Sequence, residues 1–288
     1  MSLESGEPMA FGVVLCADDY ALSPAVSCGI REALAAGRLT ATSCMANQSF
    51  WPGEAGALRR FAAHADIGLH FNLTLGQPLT AMPLLAPSGI FPSIAALMKA
   101  SRGKTLPLAE IRAEAGAQLD AFEAHFGSPP DFLDGHQHVH ILPGIAETVL
   151  GELARRRLAK GFWLRNSADR IARILVRRSA VPKALALAWL GWDFAKAARA
   201  RGFACNEGFA GFSAFRPGQD YAKQFARFLE APGVRHLVMC HPGHVDAQLM
   251  ALDPVVATRE QELAFLLSPQ FPAVLAAGGA RLVRGFGK

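Results

Sequence analysis

The chain contains 288 residues, of which 51% are hydrophobic and 18% are charged, and its formal net charge at pH 7 is +5. This balance indicates a globular protein with enough apolar residues for one large domain or two ordinary ones, and it excludes an intrinsically disordered chain. The longest apolar run, residues 184–192, is far shorter than the ~20 residues that cross a bilayer, so no transmembrane helix is predicted.

Apolar strand-like runs and helical patterns alternate along almost the whole chain. Ser23 and Pro24 mark the start of the first helix, because serine caps a helix and proline fits its first turn, and Gly37 marks its end. The predicted strands cover residues 13–17, 40–45, 67–71, 131–133, 162–165, 203–205, 236–240 and 281–283. The predicted helices cover residues 24–37, 53–64, 108–126, 143–160, 168–179, 182–201, 218–230 and 257–278.

Two segments interrupt this alternation. Residues 74–106 carry several prolines and glycines, and such a long irregular passage predicts a lid or a binding loop. Residues 166–201 form a basic, helical insertion that also contains Trp189 and Trp192. Because amphipathic helices usually bury their apolar face, we expect this insertion to pack on the rest of the domain or to mediate oligomerisation.

The order of the elements gives seven or eight β/α units. Their strands are continuous apolar runs, as expected for parallel strands covered by helices. We therefore predict a single (β/α) barrel with seven or eight strands and a helical insertion near 166–201; an open doubly wound sheet is the alternative. No linker is evident, so residues 11–288 are predicted to form one domain after a flexible N-terminus over residues 1–10.

Residues that can carry chemistry stand at the ends of four predicted strands. Asp18 and Asp19 follow the first strand, His70 ends the third, His136 follows the fourth and His241 follows a later one. In a parallel barrel the C-terminal strand ends open onto one face, where active sites lie. We therefore expect these separate segments to meet in one site.

The segment after the fourth strand has three histidines at alternate positions, His136, His138 and His140. In an extended segment, side chains at i, i+2 and i+4 point to the same side, so all three imidazoles could face one site. Imidazole binds borderline metals and titrates nearest to neutral pH, which predicts metal binding, acid–base chemistry or both. A solvated polar loop is the alternative.

Each of the other site residues has a functional and a structural interpretation. Adjacent carboxylates such as Asp18 and Asp19 can divide labour, one binding a divalent metal and one acting as a base. Their structural alternative is capping and charge balance at a helix N-terminus. His70 is a candidate ligand or a hydrogen-bonded core histidine. Asn72 and Thr74 stand on its side of the strand by alternation and are weaker candidates for substrate contact.

His241 is followed by Pro242 and Gly243, which turn the chain and would hold the imidazole at the barrel mouth. We favour a general acid over a metal ligand for His241, since the site already has one carboxylate and two imidazoles. The sequence has neither a GxSxG nucleophile elbow nor a phosphate-binding loop. A hydrolase that uses metal-activated water is therefore favoured over a covalent serine or cysteine enzyme.

Cysteine usage and charge indicate the cellular compartment of the protein and the kind of partner it can bind. Five cysteines without CxxC spacing argue against a thiolate zinc site and a disulfide framework; they indicate buried small hydrophobes in a reducing compartment. Residues 1–10 lack the pattern of a secretory leader, so a cytoplasmic protein is predicted. The positive charge over residues 155–201 lacks a nucleic-acid-binding motif and indicates solvated helix faces, with attraction to an anionic substrate or a membrane surface as the alternative.

Four motifs stand out in order along the chain: ADDYALS at 17–23, GLHFNLT at 68–74, LDGHQHVH at 133–140 and MCHP at 239–242. In order and spacing they resemble the YdjC-like carbohydrate deacetylases, which include chitin-disaccharide and hopanoid-associated deacetylases. The resemblance spans about residues 11 to 250. It implies a distorted (β/α) barrel that hydrolyses the N-acetyl group of an amino sugar with one divalent metal.

The resemblance also implies a role for each matched residue. Asp19, His70 and His136 match the metal ligands, Asp18 matches the catalytic base, and His241 matches the acid. Water would then attack the acetamide, Asp18 would take the proton of the water, and His241 would protonate the departing amine. Acetate and a free amino sugar would be the products.

Two positions depart from the family pattern. Tyr20-Ala21 stands where the family usually has Phe-Gly, and Gln137 stands where many members have another histidine. Neither is a matched catalytic position. Arg165, at the end of the fifth predicted strand, is expected to hold Asp18 ionised. Beside the other matched residues, the histidine segment is expected to supply only one ligand, His136, while His138 and His140 support the ligands, the fold or the substrate groove.

Several features of the reaction stay open at this point. One divalent metal ion is predicted, with magnesium or zinc favoured and manganese, cobalt or nickel as alternatives. A phosphoesterase or another amidohydrolase on the same barrel site is the alternative function, and a catalytically silent sugar- or lipid-binding protein is a third. The sugar, its attachment to a lipid, a homodimer and peripheral membrane contact are all left open, and no nucleic-acid partner is expected.

Overall fold

Nine parallel strands form one sheet in a computed structural model that describes residues 10–213, 218–253 and 255–286. The prediction of a flexible segment over residues 1–10 lies outside the described residues except for Ala10. The strands are β1 (Phe11–Tyr20), β2 (Ala41–Cys44), β3 (Asp66–Phe71), β4 (Phe132–Gly135), β5 (Trp163–Leu164), β6 (Ala204–Cys205), β7 (Gly208–Ala210), β8 (His236–Cys240) and β9 (Ala280–Leu282).

Helices connect these strands along the described chain. They are α1 (Pro24–Ala35), α2 (Trp51–Leu58), α3 (Ile94–Arg102), α4 (Leu108–Phe126), α5 (Ile145–Leu153), α6 (Ile171–Arg177), α7 (Val181–Leu190), α8 (Phe194–Ala200), α9 (Tyr221–Phe228), α10 (Ala247–Leu252), α11 (Arg259–Leu267) and α12 (Gln270–Ala277). Short 3-10 helices cover Arg59–Phe61 and His136–Ile141.

The sheet curls until its two ends meet on one stretch of chain. Neighbouring strands follow the order β6-β5-β4-β3-β2-β1-β8-β7, and β9 pairs with the start of β1. Only Asn206 and Glu207 separate the two end strands β6 and β7. Residues 204–210 therefore pair with β5 through their first half and with β8 through their second half. The predicted single, distorted (β/α) barrel is confirmed.

The side chain of Asn206 completes the closure of the barrel. Its Oδ1 accepts a hydrogen bond from the backbone N–H of Asn166 at 2.7 Å, and its Nδ2 donates to the carbonyl of Asn166 at 2.8 Å. Asn206 is fully buried. A side-chain amide thus supplies the pair of hydrogen bonds that a neighbouring peptide group would otherwise make.

β1 occupies the centre of the sheet, and α1 follows it as predicted. Residues 13–17 have no exposed surface, which agrees with an uninterrupted apolar run in a parallel sheet. Ser23 caps α1 by accepting a hydrogen bond from the backbone N–H of Val26 at 3.2 Å, and Pro24 takes the first helical position. Gly37, with φ 66°, lies just beyond the helix. The predicted start and end of this helix are confirmed.

The observed elements differ from the predicted ones mainly in two connections. The passage over 74–106, predicted to be irregular, contains α3, which begins where Ser93 accepts a hydrogen bond from Ala96 at 3.3 Å. The predicted helix over 182–201 is two helices, because α7 ends before Gly191 and α8 follows. The prediction missed β7, which is too short to show a periodic pattern, and α10.

The insertion formed by α6, α7 and α8 packs on the barrel and also exposes aromatic surface. Leu187 and Phe194 are buried, whereas Trp189 and Trp192 are 71% and 73% exposed. Across the described ranges, every helix is either too short or too polar to traverse a lipid bilayer.

Candidate active site

A cavity of about 380 Å³ opens at the C-terminal ends of the strands. Asp18 and Asp19 reach it from β1, His70 from β3, His136 from the segment after β4, and His241 from the segment after β8. The barrel thus brings together five residues from four segments that are distant in sequence, on the face where such folds place their chemistry.

Most of the remaining cavity wall is apolar, and the two interrupting segments contribute several of its apolar residues. Helix α3 contributes Ile94 and Met98, and helix α7 contributes Ala186, Leu187 and Leu190. The long passage over 74–106 and the insertion therefore both shape the space in which a ligand would lie.

β1 changes course at its end, and this separates the two neighbouring carboxylates. The pairing register between β1 and β2 shifts between Ala17 and Tyr20, and Asp19 has a left-handed backbone with φ 68°. The strand continues to Tyr20, beyond its predicted end. Both Asp18 and Asp19 are buried, and each meets a different set of partners.

Asp19, His70 and His136 bring three possible metal-donor atoms close together. Oδ1 of Asp19 lies 3.0 Å from Nδ1 of His136 and 3.3 Å from Nε2 of His70. All three residues are buried, and their donor atoms are close enough together to share one ion. One carboxylate and two imidazoles form a donor set that suits a divalent metal, so the residues present fit the predicted metal site.

The charges of this cluster depend on one another. Burial alone would lower the pKa of His70, but the adjacent carboxylates, Asp134 foremost, outweigh it and raise the pKa to about 10. Burial alone would raise the pKa of Asp19, but Arg259 and the two imidazoles hold it well below its usual value. Asp19 therefore stays ionised, which is the state in which a carboxylate ligates a cation.

Asp134 links the two halves of the site. Its Oδ1 lies 2.6 Å from Nδ1 of His70, so the other ring nitrogen of that histidine faces Asp19. Its Oδ2 lies 2.5 Å from Nη2 of Arg165. A carboxylate on the far nitrogen of an imidazole fixes the ring orientation of a ligating histidine. The sequence showed Asp134 inside the histidine motif, yet we predicted no role for it.

Arg165 holds Asp18 in a fixed orientation. Its Nη1 donates to Oδ2 of Asp18 at 2.6 Å, and its Nη2 donates to Oδ1 at 2.5 Å. Burial alone would raise the pKa of Asp18, but the charge and hydrogen bonds of Arg165 outweigh it and keep the pKa below its usual value. The structure thus places Arg165 where it keeps Asp18 ionised.

His241 faces Asp18 from the C-terminal end of β8, the parallel neighbour of β1. Its Nε2 lies 4.0 Å from Oδ2 of Asp18, and its backbone N–H donates to Glu262 at 2.6 Å. Burial lowers the pKa of His241 to about 4, more than the two nearby aspartates raise it. The imidazole is therefore neutral at pH 7.

The histidine segment is not extended, so alternation does not align its three imidazoles on one side. Residues 136–141 form a 3-10 turn in which Gln137 and His138 have positive φ angles of 50° and 62°. His136 reaches Asp19, whereas Nε2 of His140 lies 2.8 Å from the carbonyl of Arg165. Of the three histidines, His136 and His138 line the cavity and His140 does not.

The predicted substrate-contact residues fall in different places. Asn72 is fully buried, and its side chain builds the next turn by accepting from the backbone N–H of Thr74 at 2.9 Å and donating to Leu75. Neither Asn72 nor Thr74 lines the cavity. The reason is that β3 ends at Phe71, so the alternation that placed them beside His70 does not continue.

His138 does line the cavity. Its Nδ1 lies 3.0 Å from Oγ of Ser167, and its ring contacts Phe209 and Phe212 edge-on. Burial lowers the pKa of His138 well below its usual value, and the charges of Lys183 and Arg165 lower it further. The cavity therefore has a neutral imidazole at this wall.

Arg259 is a cavity residue that the sequence analysis missed. Its Nη2 donates to Asp19 Oδ2 at 2.7 Å and to Asp253 at 2.6 Å, and the guanidinium is fully buried. No local motif indicates a role for Arg259, because 240 positions separate it from Asp19. Arg259 is the first residue of an ordinary helix, α11.

Comparison with known proteins adds an independent finding. Over residues 12–277 the chain matches the family described as YdjC-like protein. It is 31% identical over 271 residues to a chitooligosaccharide deacetylase of Yersinia pestis (strain Pestoides F), which covers 94% of this chain and 96% of that protein. A chitooligosaccharide deacetylase of Proteus mirabilis (strain HI4320) is 38% identical over 143 residues, 48% of this chain and 55% of that protein.

One solved structure shares the fold over nearly the whole chain. It is a crystal structure of an Enterococcus faecalis V583 protein named for cellobiose-phosphate cleavage, with a TM-score of 0.72 and 21% sequence identity. The similarity covers 96% of this chain and 97% of that one. At this identity the likeness shows the fold alone.

Proposed function

The chain belongs to the YdjC-like protein family, and from that premise we propose that it hydrolyses the N-acetyl group of an N-acetylated amino sugar and releases acetate. Relatives that align along almost the full chain are named chitooligosaccharide deacetylases. The observation that carries the proposal is the separation of two adjacent carboxylates: Asp18 pairs with Arg165, and Asp19 faces His70 and His136.

In the proposed reaction Asp19, His70 and His136 hold one divalent ion, which when bound supplies Lewis acidity at the acetamide. Asp134 keeps the ring of His70 in place from behind through its 2.6 Å contact with Nδ1. Arg259 occupies the second oxygen of Asp19. Because Arg259 binds Oδ2, the oxygen of Asp19 that would bind the ion is Oδ1, which lies nearest both imidazoles.

Asp18 is the proposed base. Its carboxylate takes a proton from the water that attacks the acetamide carbon, and the bond from that oxygen to carbon forms as the proton leaves. Two hydrogen bonds from Arg165 keep the carboxylate ionised and fixed in orientation. The carbon–nitrogen bond then breaks, and acetate and the amine are the products.

His241 is the proposed acid for the departing amine. Because its pKa is about 4, it does not hold the necessary proton before the reaction. The proton has to reach it during turnover, and in the proposed cycle Asp18 passes on the one it has taken. Oδ2 of Asp18 lies 4.0 Å from Nε2 of His241, and this separation has to shorten to hydrogen-bond length for the transfer. A base that hands its proton to the acid leaves the site ready for the next cycle.

The test is acetate release from N-acetylglucosamine oligomers in the presence of magnesium, zinc, manganese, cobalt or nickel. Asp18→Asn removes the base and is expected to lower turnover by a factor of about 10²–10⁴, with the bound-metal content unchanged. Asp120→Asn is the matched control, because that aspartate is exposed on α4 and pairs only with Arg156 among its described ion pairs; it is expected to retain full activity.

The alternative reaction class gives a different result in the same experiment. A phosphoesterase would release phosphate from a generic phosphate monoester and no acetate from any N-acetylated sugar. That outcome, or the absence of acetate with all five metals, would overturn the proposal. Loss of metal from Asp18→Asn would show that Asp18 belongs to the ligand set and does not act as the base.

A further inference from the structure

A second group of possible metal donors lies outside the cavity, between α1 and the loop after β8. Cys28 and Glu32 stand one helical turn apart on α1, and His244 comes from the loop. Sγ of Cys28 lies 3.4 Å from Oε1 of Glu32, and Nε2 of His244 lies 2.9 Å from the same oxygen. All three donor atoms lie within 4.8 Å of one another.

These separations are close to those of a tetrahedral zinc site. Zinc bonds of 2.0–2.3 Å at tetrahedral angles place an oxygen about 3.4 Å from a nitrogen and about 3.6 Å from a sulfur. The cluster has 2.9 Å and 3.4 Å for the corresponding pairs. The two pairs that share Oε1 of Glu32 therefore need shifts of about half an ångström or less to admit an ion. The third pair, Nε2 of His244 and Sγ of Cys28, lies within 4.8 Å, and the half-exposed side chains of Glu32 and His244 can supply the adjustment.

The backbone around the cluster holds the donors together. Asp246 accepts a hydrogen bond from the backbone N–H of Ala25 at 3.0 Å, and the backbone N–H of His244 donates to the carbonyl of Ala25 at 3.3 Å. Gly29 packs so closely on Gly243 that a Cβ at Gly29 would lie 2.8 Å from its Cα. The loop is therefore seated on α1 whether or not a metal is bound, and the ligands are brought together in advance.

We propose that Cys28, Glu32 and His244 bind one zinc ion that fastens the loop carrying His241 to α1. The donor set of one sulfur, one oxygen and one imidazole nitrogen selects zinc over magnesium, because thiolate is a soft ligand. Three protein ligands leave a fourth position for water. The proposal does not rest on the function of the cavity, and it runs counter to the expectation from the cysteine spacing, which argues against a thiolate zinc site.

Burial and the adjacent Glu32 raise the pKa of the Cys28 thiol. The thiol therefore keeps its proton at neutral pH, and a bound zinc ion would displace that proton. Zinc affinity is accordingly expected to increase with pH.

Alkylation of Cys28 gives a direct test. The other four cysteines are buried, so Cys28 is the accessible thiol in the folded full-length protein. Zinc alone is expected to slow its reaction with iodoacetamide at least tenfold, as measured by mass spectrometry of the labelled peptide, whereas magnesium should have no effect. His244→Ala should abolish the protection. His64→Ala, which removes an exposed histidine on another face, should keep it.

Cobalt supplies a second readout that separates this site from the cavity. Wild-type protein loaded with cobalt is expected to show sulfur-to-cobalt charge-transfer absorption, and Cys28→Ser is expected to lose it while keeping any cobalt bound at Asp19, His70 and His136. Equal alkylation rates with and without zinc, protection that survives His244→Ala, or a charge-transfer band that survives Cys28→Ser would each overturn the proposal.

Discussion

Asp134 is the residue on which the geometry of the cavity depends most. It is fully buried and touches two residues, His70 on the side of the proposed metal ligands and Arg165 on the side of the proposed base, Asp18. Removing a carboxylate that orients a ligating imidazole typically lowers metal affinity or activity by about 10–100-fold. Asp134 also neutralises part of the buried charge of Arg165, so its loss affects both halves of the site.

Asp134→Asn is therefore expected to weaken metal binding by about 10–100-fold, because the amide supplies no charge and only one acceptor oxygen. Isothermal titration calorimetry with zinc and magnesium measures this directly. Since Arg165 keeps its two hydrogen bonds to Asp18, the protein should still fold. A variant that folds and binds metal with wild-type affinity would contradict the assigned role.

Arg259 leads to a second expectation at the residue scale. It lies between the carboxylates of Asp19 and Asp253, and breaking a buried ion pair by removing one partner costs about 3–5 kcal/mol. Arg259→Gln leaves the buried Asp19 and the partly buried Asp253 without their cation, which a divalent ion can partly replace. The melting temperature of the variant should therefore fall without metal and rise more steeply with added metal than that of the wild type.

Differential scanning calorimetry at several metal concentrations compares the two proteins. Lys196→Gln, on the insertion helix α8, changes the net charge by the same amount away from Asp19 and serves as the control. If the metal-induced rise in melting temperature is the same in Arg259→Gln and wild type, the guanidinium does not compensate the charge of Asp19.

At the scale of elements, the turn after β4 decides how the histidine motif is used. Gly135 precedes the turn, and a Cβ there would lie 2.7 Å from Nδ1 of His140 and 3.1 Å from its backbone nitrogen. The chain can fold back this tightly only without a side chain at that position. Gln137 and His138 accept left-handed backbone angles in the same turn, at a cost of about 1–3 kcal/mol each.

Gly135→Ala is consequently expected to displace His140 or the turn itself and to lower the free energy of unfolding by about 1–3 kcal/mol, together with metal affinity. Gly151→Ala in α5 is the matched control, because nothing lies within 4 Å of its added Cβ, and it should stabilise the protein by up to about 1 kcal/mol. Urea denaturation of both variants measures the difference. Equal stabilities would show that the turn tolerates a side chain.

The same turn shows where inference from sequence fails. Periodic patterns located elements with strong local determinants: α4 spans Leu108–Phe126 as predicted, and β8 matches its predicted bounds of 236–240. The inference from alternating side chains failed at 136–140, because Gln137 and His138 adopt left-handed backbone angles that the pattern of polar residues does not indicate. It failed again at Asn72, where the strand had already ended.

The residues of the candidate site also differ in whether the sequence alone reveals them. Asp18, Asp19, His70, His136 and His241 could be found because each directly ends or follows an apolar run. Arg259 could not, since its contact with Asp19 joins residues 240 positions apart through the closed barrel. Asp134 was visible in the motif, but its double contact with His70 and Arg165 depends on the order of β3, β4 and β5 in the sheet.

At the scale of the whole molecule, the barrel closes through residues 204–210 beside the start of β8. His236 begins that strand, and its Nε2 lies 2.8 Å from the carbonyl of Phe228. A Cβ on Gly208 would lie 2.6 Å from the other ring nitrogen, so the imidazole fills the seam between β7 and β8 completely. This histidine is buried by the closure of the fold and takes no part in the cavity.

His236 should therefore make the stability of the protein depend on pH. Burial lowers its pKa to about 4, against about 6.5 in an unfolded chain. Between these values the unfolded state binds a proton that the folded state does not, so stability is full above pH 6.5 and is lost as the pH falls toward 4. From pH 7.5 to pH 5 the loss due to this residue is about 2 kcal/mol. His236→Gln removes the titration and should lose less stability over that interval by this amount in urea denaturation, whereas His64→Gln, an exposed histidine, should follow the wild type. A His236→Gln protein whose stability falls as steeply as the wild type would show that the seam does not hold this imidazole neutral.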